Sequence, residues 1–356
     1  MGNKKTIEQI NERIKNGEAV VMTAEEIIPL VERIGVEAAT QQVDVVTTGT
    51  FGAMCSTGVF LNFGHSDPPI KMRKITLNGV GAYGGIAAVD AYLGATEQSE
   101  DNPAYGGAHV IEDLLNGKKI HLEAFAGGTD CYPRKEVRAE VALSDLNEAL
   151  LFNPRNAYQN YGAATNSTDQ VIHTYMGTLL PNMGNVTYAT AGELSPLLND
   201  PTFRTIGIGT RVFLGGGIGY VAGHGTQHNT HKPCNAYGIP IGGAGTLALS
   251  GDLKHMSSEY LRAATYHNYG TSMFVGVGIP IPLLSAQITQ AVAVSNRDIH
   301  TKVFDYGVQR LNRPDFGIYS YAQLQSGSIH IGDKTVRTAP LSSLSMARRI
   351  AEELQK

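Results

Sequence analysis

Tryptophan is absent from this chain of 356 residues, and only three residues are cysteine. Charged side chains make up 17%, against roughly 25% in ordinary soluble domains. Each shortage excludes something. Three thiols cannot all pair, which argues against a secreted disulfide framework. The formal charge of −4 supplies no basic field for nucleic acid. Short basic clusters such as Lys71-Met-Arg-Lys74 read as solvated surface or small-anion contacts. Long apolar runs are also missing. The longest stretch without Asp, Glu, Lys or Arg, from Ala263 to Asn296, is broken by Pro280, Pro282 and several glycines, so it does not read as a membrane span. The amino terminus passes from Lys4 and Lys5 straight into an amphipathic helix, without a signal-peptide pattern. A cytoplasmic protein with free thiols is expected. Low charge together with 41 glycines and 42% hydrophobic residues predicts a large buried fraction, many tight turns and a homo-oligomeric interface.

Thr6 caps a first helix carrying Ile7, Ile10 and Ile14 on one face and closed by Gly17. Thr23 and Glu26 form a capping box that opens a second helix, ending near Gly35. Val43 to Val46 reads as a short strand. Ile75 to Val80 reads as another, and 108–116 as a helix stopped at Gly117. Ile120 to Phe125 and Glu136 to Leu143 are expected strands, the second by its alternation of Val137, Ala139 and Val141. A short helical segment is expected from Asp145, broken at Asn153-Pro154. The polar stretch from Tyr158 to Pro201 carries no clear period. Arg211 to Leu214 is an expected strand leading into Gly215-Gly-Gly-Ile-Gly219. Ser328–Ile331 and Thr335–Thr338 suggest a hairpin around Gly332-Asp333, and a last helix is expected over 341–354. Short strands alternating with helices indicate an α/β class, with a mixed α+β arrangement as the variant, in one glycine-rich core region with cysteine-bearing loops. The topology does not follow from this pattern.

The three cysteines all lie in stretches marked by glycine or proline: Cys55 in Gly52-Ala-Met-Cys-Ser-Thr-Gly58, Cys131 in Gly127-Gly-Thr-Asp-Cys-Tyr-Pro133, Cys234 in His231-Lys-Pro-Cys234. A structural cysteine more often hides inside a strand or helix as a small hydrophobe. Two functional readings stand beside three unrelated buried thiols. Cys55, Cys131 and Cys234 could hold a [4Fe–4S] cluster by three thiolates, leaving one iron open as a Lewis acid. Alternatively two thiols suffice, one carrying a persulfide and the other resolving it.

His224, His228 and His231 precede Cys234 at a spacing superficially like zinc ligation. Gly223, Gly225 and Pro233 rule out one helix placing His224 and His228 on the same face. Structural or substrate-binding roles, a general acid or base near Cys234, and zinc therefore all stay open. The glycine run 215–219 lacks the spacing of a dinucleotide or phosphate loop and reads as a tight turn. His65 and Asp67 stand before Pro68-Pro69, which stiffens a loop bearing two titratable groups, or simply makes an Asp-Pro turn. Arg73, Arg134 and Arg211 are candidates for binding a carboxylate.

The segments Thr47-Thr-Gly-Thr-Phe-Gly-Ala-Met-Cys-Ser-Thr-Gly58, Asn62-Phe-Gly-His-Ser-Asp-Pro-Pro69 and Gly127-Gly-Thr-Asp-Cys-Tyr-Pro133 resemble the homocysteine biosynthesis family. The likeness runs over nearly the whole chain, through Gly215–Gly219 to Thr338-Ala-Pro-Leu-Ser-Ser343. It implies one catalytic region over residues 1–356, with room for two subdomains and neither a CBS module nor a ferredoxin segment. It further implies insertion of sulfur, from sulfide or another donor, into L-aspartate 4-semialdehyde to give homocysteine. Two family cysteines match Cys55 and Cys131, so Cys131→Ala is expected to abolish the reaction. The implied electron donor is a ferredoxin-like iron–sulfur protein. His65, Asp67 and His224 are the candidates for protonating the departing hydroxyl. The competing class is a non-catalytic sulfur carrier or iron–sulfur scaffold. A zinc hydrolase built on the histidines is a third.

Overall fold

The computed structural model describes residues 4–156 and 158–356. Its fold is mixed α/β, and among the described residues the largest element is a thirteen-stranded, antiparallel sheet. That sheet runs from Leu261–Tyr266 at one edge to Glu136–Val141 at the other, with Thr50–Ala53 pairing onto Gly270–Gly278. Its middle is the strand Glu148–Asn156, held between Gly58–Asn62 and Leu247–Asp252. Ala149, Leu151 and Asn153 point into the interior while Glu148 and Leu150 face out, the period of two that a half-buried strand imposes.

A second, six-stranded sheet carries the order Asp315–Ser320, His300–Asp305, Ala163–Thr165, Asn185–Tyr188, Lys334–Pro340, Ser328–Ile331. A small three-stranded sheet joins Val21–Thr23, Val45–Thr47 and Pro280–Pro282. Helices Ala24–Ile34, Ala286–Val292 and Leu344–Glu353 contribute Ile27, Ile288 and Ala347 to its buried core. Each of these helices begins at a hydroxyl cap, Thr23, Ser285 and Ser343 respectively. No described helix is long and apolar enough to cross a membrane.

The local expectations hold for the terminal helices, for Ile120–Phe125 and for the hairpin Ser328–Ile331 with Lys334–Pro340. Two differ. The single strand expected over 75–80 is a hairpin, Lys74–Leu77 with Val80–Tyr83. Asn78 and Gly79, at φ 49° and 75°, make the left-handed two-residue turn that Asn-Gly favours. The helical segment expected from Asp145 is one 3-10 turn, Leu143–Asp145, followed by the central strand Glu148–Asn156. Pro154 is tolerated there because the ladder to Leu247–Asp252 shifts register between Asn153 and Asn156.

Candidate active site around Cys55

Cys55 sits at the corner of a turn that the sequence builds from both sides. Strand Thr50–Ala53 pairs residue by residue with Gly270–Gly278, and Met54 N–H continues the ladder to Met273 O at 2.8 Å. Thr57 then closes the turn, its N–H and its hydroxyl both donating to Met54 O. Asn153 locks the turn to the central strand: it accepts from Ser56 Oγ at 2.8 Å and donates to Thr57 Oγ1 at 2.7 Å. From below, the helix Leu344–Glu353 packs so closely that a Cβ on Gly49 would meet the carbonyl oxygen of Ala347. Cys55 is half-buried, and Ser272 Oγ donates to its sulfur at 3.2 Å.

The thiol opens into a cavity of about 240 Å³ between the two large sheets. That is slightly below the roughly 300–1,000 Å³ usual for drug-sized ligands, and it suits a small metabolite. Its wall includes Cys55, Ser56, Arg155, four tyrosines (158, 161, 175 and 269), and Arg310 at the mouth. A wider recess of about 490 Å³ shares Cys55, Ser56, Arg155 and Tyr269 with it and adds Thr96, Gln98 and Thr271. Cys55 therefore borders space on two sides.

Among the described residues, the cavity wall contains no Asp, Glu, His or Lys. Proton transfer there falls to the thiol and to phenols. Tyr161 Oη donates to Tyr175 Oη at 3.3 Å, and Tyr175 Oη lies 2.9 Å from Tyr306 Oη, forming a chain of three hydroxyls. Burial pushes the phenols of Tyr158, Tyr161 and Tyr306 up, and that of neighbouring Tyr266 up to about 12. These groups are neutral hydrogen-bond donors at neutral pH.

The other expected site residues lie elsewhere. Cys131 is exposed, in the loop after strand Ile120–Phe125. Register places that loop at the opposite end of the large sheet: Asn62, Asp90, Lys74 and Phe125 share one end, whereas Gly58 and Gly94 share the Cys55 end. His65 joins Cys131 there, its ring stacked 6.4 Å from Tyr132, and Arg134 N–H bonds Pro69 O next to Asp67 and Pro68. Arg73 and Arg134 belong to this far end, while Arg211 starts the strand Arg211–Leu214. None of the three lines the cavity. His224 ends strand Gly217–His224, and its ring stacks on His228 at 4.3 Å. Only Gln227, in the loop that follows, reaches the cavity. His228 Nδ1 is engaged with Thr246 O at 2.8 Å. Cys234 is exposed, with its thiol donating to Lys232 O.

A cluster held by Cys55, Cys131 and Cys234 requires three thiols within a few ångströms of one another. Among the described residues no three Cys, His, Asp or Glu side chains gather to hold a metal. The donor set of one chain does not fit the cluster. Arg155 and the tyrosine chain were missed in the sequence. Their only local signal was the alternation from Glu148 to Asn156, which identifies a strand and places Arg155 two residues beyond buried Asn153.

The model of a family described as "Homocysteine biosynthesis enzyme, sulfur-incorporation" matches residues 19–356. A Methanosarcina acetivorans protein named L-aspartate semialdehyde sulfurtransferase is 54% identical, over 99% of this chain and 69% of its own. A Methanocaldococcus jannaschii protein of the same name is also 54% identical, over 99% of this chain and 70% of its own. An uncharacterized protein of Methanothermobacter thermautotrophicus is 32% identical, over 84% of this chain and 67% of its own. No solved structure matches the chain.

Proposed function

The chain belongs to the homocysteine biosynthesis, sulfur-incorporation family, and from that membership we propose that it is an L-aspartate semialdehyde sulfurtransferase. It replaces the aldehyde oxygen of L-aspartate 4-semialdehyde with sulfur, reductively, to give L-homocysteine. The observation that carries this reading is the position of Cys55: among the described residues it is the one sulfur nucleophile on a small cavity otherwise lined by hydroxyls, apolar groups, the Gln227 amide and two arginines.

The chemistry makes definite demands. Hydrosulfide adds to the aldehyde carbon and gives a thiohemiacetal; loss of water gives a thioaldehyde; two electrons and two protons complete the thiol. If sulfur arrives as the sulfane atom of a Cys55 persulfide, the balance rises to four electrons and four protons. Either route draws on an external reductant, which we assign to a ferredoxin-like iron–sulfur protein. Ser272 steadies the Cys55 sulfur through its hydroxyl. The neutral tyrosines that line the cavity are assigned as proton donors to the leaving hydroxyl; His65, Asp67 and His224 do not line it.

Cys131 is the exposed thiol of the far loop, suited to receive sulfur from a donor, or pass it on, in an encounter with another protein molecule. Leu311, 98% exposed beside Arg310 at the cavity mouth, offers an apolar contact for a partner or for a second copy in a homo-oligomer.

The test is anaerobic turnover of L-aspartate 4-semialdehyde with sulfide and a chemical reductant. Homocysteine is expected from the wild type and is lost on Cys55→Ser without a change in thermal midpoint. Turnover by Cys55→Ser near the wild-type rate refutes the assignment.

A further inference from the structure

The cavity that holds the reactive thiol has a charge of one sign only. Arg155 and Arg310 line it, and among the described residues no Asp, Glu, Lys or His does. Among the described residues neither arginine has a carboxylate within ion-pair distance. Arg310 is exposed at the mouth. Arg155 is set deeper, bordering both the cavity and the recess alongside Cys55. Its Nε is buried and lacks a hydrogen-bond partner, and a buried guanidinium nitrogen without an acceptor is costly enough to need an explanation. The charge of Arg155 lies against the Tyr158 phenol, where it offsets part of the upward push of burial. That contact leaves the guanidinium without an anion.

Position as well as charge is fixed. Asn153 accepts from Ser56 Oγ at 2.8 Å and from the Arg155 N–H at 2.9 Å on the same amide oxygen. Its amide nitrogen donates to Thr57 Oγ1. One buried asparagine therefore ties the Cys55 turn and the Arg155 backbone together, holding a nucleophile and an anion receptor at a set separation.

We propose that Arg155 is the receptor for the α-carboxylate of an amino-acid aldehyde, orienting the substrate so that its distal carbonyl carbon faces Cys55. This rests on the sulfurtransferase reading and names the group that selects its substrate. A planar guanidinium engages a carboxylate by two parallel hydrogen bonds, which fixes direction as well as place. The arginines expected from sequence, Arg73, Arg134 and Arg211, lie off the cavity. An ammonium group finds no carboxylate here, only phenol faces and hydroxyls, so selection falls on the anion.

The experiment compares wild type, Arg155→Ala and Arg155→Lys, with thermal midpoints confirming folding. Binding is read first, as protection of Cys55 from iodoacetamide by L-homoserine, the unreactive alcohol analogue, and by 3-amino-1-propanol, which lacks the carboxylate. Turnover is then read with L-aspartate 4-semialdehyde and with 3-aminopropanal. Wild type is expected to favour the carboxylate-bearing member of each pair on the order of 100-fold, the effect of a charge-assisted bidentate contact. Arg155→Ala removes that preference while leaving the carboxylate-free compounds within about threefold, and Arg155→Lys restores part of it as a point charge. Preference retained in Arg155→Ala overturns the proposal, as does an equal fall for both members of a pair. Arg155-dependent protection by L-homoserine without any turnover sustains the receptor and refutes the sulfurtransferase reading instead.

Discussion

Sulfur transfer needs a nucleophilic sulfur, and a hydrogen bond donated to that sulfur helps to hold it in place for attack. Ser272 supplies that donor from strand Gly270–Gly278 at 3.2 Å. Removing it by Ser272→Ala leaves the half-buried sulfur with one polar contact fewer. A hydrogen bond to a charged group contributes roughly 1.5–3 kcal/mol, so alkylation of Cys55 by iodoacetamide at fixed pH is expected to slow about tenfold. An unchanged rate shows that Ser272 plays no part in activating the sulfur. At this scale the cysteines were legible from sequence, because thiols in turn-forming stretches stand apart from core cysteines. Arg155 was not: one arginine near a proline looks like any surface arginine until the strand carrying it is placed beside the Cys55 turn.

Elements were legible where a local rule decided them. Thr23 and Glu26 make the capping box expected of them, and the alternating run Glu136–Val141 is a strand. The central strand was harder, since Asn153-Pro154 is a breaker by local rules and only pairing on both sides of Glu148–Asn156 overrides it. The stretch from 158 to 201 is illegible for a physical reason. Its three-residue strands are too short to show a period: Ala163–Thr165 is defined by the distant strand His300–Asp305, and Ile172–Thr174 by a small hairpin with Gly177–Leu179. Long-range anchoring also holds the first helix, Ile7–Lys15. Asp44, fully buried, accepts from Lys5 Nζ at 2.8 Å and from Val20 N–H at 2.9 Å. Asp44→Ala strands the Lys5 charge and is expected to destabilise the fold by about 3–5 kcal/mol, measurable by urea unfolding. A cost below about 1 kcal/mol contradicts that anchoring role.

Across the whole molecule, Cys55 and Cys131 occupy opposite ends of one sheet. The five-residue strand Gly58–Asn62 lies between the Cys55 turn and the His65 loop, and at about 3.3 Å per residue it spans roughly 16 Å. Disulfide formation needs Cα atoms within about 7 Å. Mild oxidation of dilute protein is therefore expected to yield no Cys55–Cys131 disulfide within a single chain by peptide mapping, and finding one shows that the loops rearrange. Sequence could not reveal this separation, because it depends on the register of the strands that lie between Gly58–Asn62 and Ile120–Phe125. On the proposed function this separation divides the work: chemistry on the aldehyde is assigned to the Cys55 cavity, and contact with sulfur donors to exposed Cys131.

The most direct test of this division is to load the anaerobic protein with a sulfane-sulfur donor, map every cysteine by mass spectrometry, and repeat the mapping after adding L-aspartate 4-semialdehyde with reductant. One extra sulfur atom on Cys55, discharged as homocysteine forms, is the predicted result. Homocysteine formation that is undiminished in Cys55→Ser, with Cys55 never carrying sulfur, contradicts the account.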